Sequence, residues 1–173
     1  MRRLVLCGSA IAGKTTILQT FASSRGLALR RFEPNSGSGE VRDRGVSLIA
    51  DDGGIELMTV CGVVWNDDTW PVVVGGAVAL ALVLDIQATR AQADREFAEA
   101  VARMPNAPSL GCVIWTKEDL IADGVEERVP PTLLSGTAVE TWPSFLTRHD
   151  QPWTLLAPLE WLLAQVKERE RLG

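Results

Sequence analysis

Gly8-Ser9-Ala10-Ile11-Ala12-Gly13-Lys14-Thr15 sets two glycines around four residues, directly ahead of a lysine and a hydroxyl. That spacing suits the wrapping of a backbone around phosphate oxygens. The glycines let the chain curl tightly enough to aim successive N–H groups at an anion. Lys14 can reach the terminal phosphates and Thr15 Oγ1 can hold Mg²⁺, while the amino end of a following helix adds partial positive charge. Gly8, Ala10, Ala12, Gly13, Lys14, Thr15 and Thr16 are therefore the candidate phosphate-binding residues. A chance turn before Lys-Thr would lack the flanking apolar run, Leu4 to Cys7, and the helix-like stretch that follows. The expected ligand is a nucleoside di- or triphosphate.

A second group, Thr116-Lys117-Glu118-Asp119, closes the apolar run Leu110–Trp115. A carboxylate there can accept hydrogen bonds from guanine N1–H and N2–H₂, whereas adenine turns the N1 lone pair towards it. Buried polar recognition of this kind rejects the wrong base by ~10⁴ or more, roughly 5 kcal/mol. The Lys117 stem would lie along the base. As a lone tetrapeptide the motif is weak, and a solvated helix start would need no function. Its strength comes from company, because both motifs sit at strand ends. Thr116, Lys117 and Asp119 are the candidate guanine-binding residues.

The elements that must position these groups follow from apolar runs and turn signals. Residues 2–7 read as a strand and 14–24 as a helix. Arg25 to Arg44 is a polar connection containing Gly and Ser. Val46–Asp51 and Ile55–Val60 flank Asp52-Gly53-Gly54 as a β-hairpin. Ala77–Leu84 and Leu110–Trp115 are apolar throughout, as strands buried on both faces are. Between them Arg90–Met104 carries Ala91, Phe97, Ala98 and Val101 on one helical face. This order predicts an α/β fold with a mostly parallel sheet, one antiparallel edge hairpin and helices on both faces.

At 173 residues, 46% hydrophobic and 23% charged, the chain has the composition of one globular domain spanning 1–173. A net charge of −5 argues against nucleic acid or anionic lipid as partner. The apolar stretch Val72–Leu84 is interrupted by glycines and reads as core. Without a secretory signal or lipidation signature, and so without a membrane anchor, a cytoplasmic location is expected. Cys7, Cys61 and Cys112 lack metal-ligand spacing and are expected as reduced core thiols. His149, the sole histidine, lies in a polar stretch and is expected on a surface loop.

Together the two motifs resemble those of P-loop NTPases of the Ras-like G-domain type, the small GTPases, and most of all the bacterial MglA-type polarity and gliding GTPases. In that family Thr-Val-x-Gly stands where eukaryotic members have Asp-x-x-Gly. Here Thr59-Val60-Cys61-Gly62 fits, followed by Val64-Trp65-Asn66-Asp67, and Gly75-Gly76-Ala77 leads into a strand ending at Asp85. The resemblance covers about residues 3 to 119 at the level of motifs. It implies a switch between GTP and GDP with Mg²⁺, and loops around Asn35–Arg44 and Gly62–Val74 that change shape on hydrolysis. It also implies a protein regulator or effector at those loops, of the roadblock type. Trp65 and Trp70 fall in the second loop, either packed on the sheet or presented to a partner. Thr15 and Thr59 are the candidate metal-side residues, Thr59 standing where other Ras-type proteins carry an aspartate.

Departures from the family pattern point to slow chemistry. No threonine lies between Phe21 and Met58, so the γ-phosphate-sensing threonine has no counterpart unless Ser36, Ser38 or Ser47 replaces it. Val63 stands where the family often has a water-orienting glutamine, and valine can orient no water. Ala10 replaces a glycine and crowds the γ-phosphate approach. Arg42 or Arg44 could supply charge in cis.

The family's last base-binding loop usually follows about 25 residues after the guanine motif. Ser135-Gly136 comes early and Ala157-Pro158 late. The second is preferred, with Pro152–Leu156 as the last strand, Pro158 opening a helix Leu159–Arg171, and Pro131–Arg148 a helical insertion broken near Pro143. Three functions compete: a GTPase needing a partner for hydrolysis, a hydrolysis-deficient guanine-nucleotide-binding scaffold, and a P-loop ATPase with Asp85 as metal-side carboxylate.

Overall fold

Leu4-Val5-Leu6-Cys7 is apolar at every position, and such a strand has to be covered on both faces. In the computed structural model, which describes residues 2–32, 47–60, 76–87, 91–102, 108–121, 131–137 and 139–172, it lies mid-sheet. The strands are β1 (Arg2–Cys7), β2 (Arg30–Phe32), β3 (Ser47–Asp52), β4 (Ile55–Thr59), β5 (Ala77–Asp85), β6 (Gly111–Thr116) and β7 (Ser144–Leu146). They form one seven-stranded sheet in the order β2-β3-β4-β1-β5-β6-β7. Every pairing from β4 through β7 is parallel, and β2-β3 and β3-β4 are antiparallel.

The α-helices among the described residues are α1 (Lys14–Arg25), α2 (Ala91–Ala102) and α3 (Pro152–Leu172). Alternation along the strands divides the core between them. Leu4, Leu6, Ala79, Ala81 and Val83 pack with α1 and α3 on one face. Val5, Cys7, Leu80, Leu82 and Leu84 pack with Ala98 and Val101 of α2 and with Leu133, Leu134 and Val139 on the other. The expected α/β architecture, mostly parallel with helices on both faces, is the one observed. Since α1 leaves β1 to one face and α2 leaves β5 to the other, the chain switches direction between these neighbours. A crevice opens at the carboxyl ends of strands at such a point.

The hairpin forms as its turn dictates. Asp52 pairs with Ile55 across Gly53 (φ 63°) and Gly54 (φ 86°), both left-handed as a two-residue turn requires. Asp51 Oδ1 accepts the Gly54 N–H at 3.1 Å.

Three expectations need correction. The polar connection after Arg25 contains β2, whose Arg30 pairs with Ile49 of β3. The segment Pro131–Arg148 is not a helical insertion: it holds a single 3-10 turn, Pro131–Leu134, and then β7. Here the Trp142 ring lies so close over Gly111 that a Cβ on Gly111 would come within 2.5 Å of it. The Pro143 carbonyl accepts the Val113 N–H at 2.9 Å, so pairing with β6 wins. Finally, Pro152–Leu156 is the start of α3 and not a strand, which leaves Pro158 inside the helix. An interior proline costs about 3 kcal/mol. Leu155, Leu159, Leu162, Leu163 and Val166 are all buried from that helix, at about 1.5 kcal/mol or more each, and this outweighs the cost.

Among the described residues no helix is long and apolar enough to cross a membrane. Asn35–Arg44 with Ser36, Ser38, Arg42 and Arg44, and Gly62–Val74 with Val63, Trp65 and Trp70, lie outside the described residues, as does Cys61. Ser47 is the first residue of β3.

Candidate functional site

Gly8 leaves β1 with φ 150° and lies directly against β5, where a Cβ would meet the Val83 carbonyl oxygen at 2.0 Å. No other residue fits there. Gly13, at φ 92°, opens α1 with no side-chain cap, and the first turn carries no acidic residue. A helix end left this way attracts anions. Lys14 folds back across the loop and is buried, its Nζ donating to the carbonyls of Gly8 at 2.9 Å and Ser9 at 2.5 Å. The ammonium is thus held within the loop by two of its carbonyls. Ser9 Oγ is buried with no hydrogen-bond partner among the described residues. An orphan hydroxyl normally marks a missing partner. Thr15 is exposed at the first turn, Thr16 and Ala10 are half-buried, and Ala12 is buried.

Ile11, at the tip, was not singled out from the sequence. It is 75% exposed and has φ 64°, which for a β-branched residue costs about 1–2 kcal/mol. The residue pattern of the loop gives no sign of this, because an isoleucine by itself does not announce a left-handed backbone.

Thr116 ends β6 and ties that strand to the loop. Its hydroxyl lies 2.9 Å from the Ala12 carbonyl and 3.0 Å from that of Leu84, sharing one proton between them. Lys117 has φ 65°, and its Nζ donates to Asp85 Oδ2 at 2.5 Å. Asp85 is fully buried, and its Oδ1 accepts the Gln87 N–H at 3.1 Å. Both carboxylate oxygens are engaged.

Asp119 lies in the 3-10 turn Glu118–Leu120, and its Oδ1 accepts the His149 N–H at 3.1 Å. His149 is an exposed loop residue, as expected, but its backbone contact was not anticipated. The partner loop after β7, residues 147–151, is bonded throughout. Thr147 N–H donates to the Trp115 carbonyl at 2.8 Å, and Arg148 N–H to Thr154 Oγ1 at 2.9 Å. Arg148 Nη1 donates to Glu118 Oε2 at 3.1 Å, while Nε and Nη2 both reach the Asp150 carboxylate at 3.0 Å. The Asp150 hydrogen bonds hold the guanidinium above its ordinary range, and the hydrogen bond from Arg148 holds the Asp150 carboxyl below the usual carboxylate range.

The structure therefore brings Gly8, Ala10, Ala12, Gly13, Lys14, Thr15 and Thr16 into one loop and helix start, with Thr116, Lys117 and Asp119 beside them at the end of β6. Thr59 ends β4, paired with Leu6 of β1, on the same edge of the sheet. Ala157 is not brought in: it is an exposed residue in the second turn of α3 and closes no strand. Ser135-Gly136 closes none either, forming a turn in which Glu140 accepts the Gly136 N–H at 2.8 Å. Neither expected loop faces Asp119. Residues 147–149 do, and the spacing of about 25 residues pointed near them; a strand of only Ser144-Phe145-Leu146 gave too little signal.

A magnesium ion at the loop would find the exposed Thr15 hydroxyl as its protein donor. Among the described residues no three His, Cys, Asp or Glu side chains gather into a metal cage. Mg²⁺ bound there would retain waters and take phosphate oxygens as its other ligands. Comparison with protein-family models finds no match, and none is found among curated proteins.

Proposed function

We propose that this chain is a guanine-nucleotide-binding molecular switch with a P-loop, Ras-like G domain, binding GTP and GDP with Mg²⁺ and hydrolysing GTP slowly without a partner. The observation that carries the reading is the Thr116 hydroxyl bonded to the Ala12 carbonyl, which fixes a guanine-type carboxylate, Asp119, relative to a phosphate-type loop. Backbone N–H groups of residues 8–13 and the Lys14 ammonium would hold the β- and γ-phosphates. The Asp119 carboxylate, whose Oδ1 is braced by the His149 N–H and keeps a second lone pair, would accept N1–H and N2–H₂ of the base. Mg²⁺, when bound, neutralises phosphate charge.

Slow hydrolysis follows from what the side chains lack. At the Thr59 position a carboxylate would hold metal-bound water; the threonine is neutral and buried. Val63 orients no water. A partner at the switch loops, of the roadblock type, would supply what is missing. The same neutrality at Thr59 favours the second reading, a guanine-nucleotide scaffold with negligible turnover. The ATPase reading has less support, because the Asp85 carboxylate already accepts from the Lys117 ammonium and the Gln87 N–H.

Nucleotide extracted from the purified protein, and competition of GDP against ADP, test the proposal. Guanine nucleotide with preference over adenine by 10³ or more is the expected result, with ~10⁴ the usual size for such a site. Equal binding of ATP and GTP would overturn it. Single-turnover GTP hydrolysis, with Arg42→Ala and Arg44→Ala alongside, separates switch from scaffold. Turnover near 1 s⁻¹ in the isolated wild type would refute slow hydrolysis, since partner-assisted rates of this class are ~5–20 s⁻¹ and unassisted ones ~10⁻³ s⁻¹ or less.

A further inference from the structure

We infer that Glu118 and Arg148 are positioning residues for base selection: their ion pair, backed by Asp150, fixes the 147–151 loop against the Glu118–Leu120 turn and so aims the Asp119 carboxylate. The inference rests on the guanine reading above and deepens it, because it names what sets the discrimination.

The geometry is a closed circuit. Glu118 is buried and adjacent in sequence to Asp119, so its side chain and that of Asp119 leave one short turn. Arg148 and His149 are likewise adjacent in the facing loop. Arg148 Nη1 meets Glu118 Oε2 at 3.1 Å, and one residue along, the His149 N–H meets Asp119 Oδ1 at 3.1 Å. These two side-chain ties join the same two short segments as the Glu118 N–H, which donates to the Thr147 carbonyl at 3.5 Å, and together they define rotation as well as spacing. The far side of the guanidinium is gripped by both Asp150 oxygens at 3.0 Å. Such a fork fixes the guanidinium plane as well as its position. The loop is also pinned to α3, since Arg148 N–H donates to Thr154 Oγ1 and that hydroxyl lies 2.7 Å from the Gln151 carbonyl. The ties named here run to Asp119, to the 147–151 loop and to α3, so the effect of the circuit should fall mainly on the base.

That separation supplies the test. Guanine offers N1–H and N2–H₂ to a carboxylate, while hypoxanthine offers only N1–H, and the phosphates of GDP and IDP are identical. The GDP-to-IDP affinity ratio therefore measures the aim of Asp119 and cancels the phosphate contribution. In the wild type the ratio should be roughly 10- to 100-fold, the size of one hydrogen bond to a charged group. Arg148→Met and Glu118→Gln should each bring it to within about three-fold of unity, with IDP affinity, which keeps only the shared N1–H contact, falling less than GDP affinity. The double variant should lose no more than the worse single one, as expected for one shared tie.

Equal loss of GDP and IDP affinity would make the pair a general structural element and overturn the inference, as would an unchanged ratio or additive losses. Should Arg148→Met not fold, Glu118→Gln, which keeps side-chain volume, decides by the same two outcomes. Failure of the guanine reading shows separately: wild-type protein that does not prefer GDP over ADP refutes that reading whatever the variants do.

Discussion

Replacing Gly8 by alanine places a methyl group where the protein has none to spare. The new Cβ would sit 2.0 Å from the Val83 carbonyl oxygen, 3.0 Å from its carbon and 3.3 Å from its nitrogen. Val83 cannot retreat, because it is fully buried in β5 and registered against Ile114 of β6. The loop must therefore move by roughly an ångström to reach ordinary contact, and the residue must also hold φ near 150°. Overpacking of a rigid site costs about 1–3 kcal/mol, and an L-residue in a sparsely populated backbone region about 1–3 kcal/mol. A loss of ~2–6 kcal/mol follows, which for a chain of this length lowers the melting temperature by about 4–24 °C. Gly26→Ala is the control: φ is 64° there, and an added Cβ would meet nothing within 4 Å, so only the backbone term of about 1–2 kcal/mol applies. Thermal and urea unfolding of both variants, with nucleotide removed, isolates the clash as the difference. If Gly8→Ala is no more destabilising than Gly26→Ala, the close approach of the loop to β5 is wrong, and with it the reason Gly8 must be glycine. Shifting the loop should also weaken GDP binding in Gly8→Ala, which Gly26→Ala should leave unchanged.

Other outcomes follow from the same geometry. Asp119→Asn should weaken GTP binding by several kcal/mol and favour xanthosine triphosphate, whose 2-oxo group accepts from the asparagine NH₂; a competition assay that still prefers GTP would contradict the base assignment. Lys14→Ala should abolish triphosphate binding, and unchanged affinity by calorimetry would remove the loop from the argument. Burial lifts the Cys7 thiol from the usual 9.0 to about 12. Between those values the unfolded chain ionises while the folded one does not, so stability should fall by up to about 1.4 kcal/mol per pH unit from this group. Urea unfolding of wild type and Cys7→Ala across pH 8 to about 11 should show the shallower slope in the variant; parallel slopes would show that the thiol is not so buried.

How far the chain could be read in advance depended on how much each segment had to say locally. Ala77–Leu84 and Leu110–Trp115 announce buried parallel strands because both faces are apolar, and the Gly53-Gly54 turn declares its hairpin. β2 carries two arginines, both exposed, and spans three residues at a sheet edge, too short for a pattern to show. Around β7 the local signals misled. Pro158 suggests a helix start, but that rule ignores five leucine and valine side chains that hold the helix across it. The places of the Gly8–Thr15 loop and of the Thr116 turn were legible because each directly follows an apolar run that becomes a strand. The Glu118–Arg148 tie was not, since two opposite charges thirty residues apart are ordinary until a strand brings them together.

The central strand also sets the order in which the molecule can assemble. β1 meets β4 at Arg2–Ile55 and β5 at Arg3–Ala77, so each neighbour arrives across a long stretch of chain. The β3-β4 hairpin closes over two residues. Each doubling of a closed loop adds about 0.6 kcal/mol of entropy cost, and roughly five doublings, about 3 kcal/mol, separate the hairpin from the β1-β5 pairing. The hairpin can form early, but the Gly8 loop exists only after β1 and β5 have met, and its Thr116 tie only after β6 has joined. A ligand that recognises this loop has nothing to hold until the last pairings form. Nucleotide should therefore slow unfolding in proportion to its occupancy and leave the folding rate untouched.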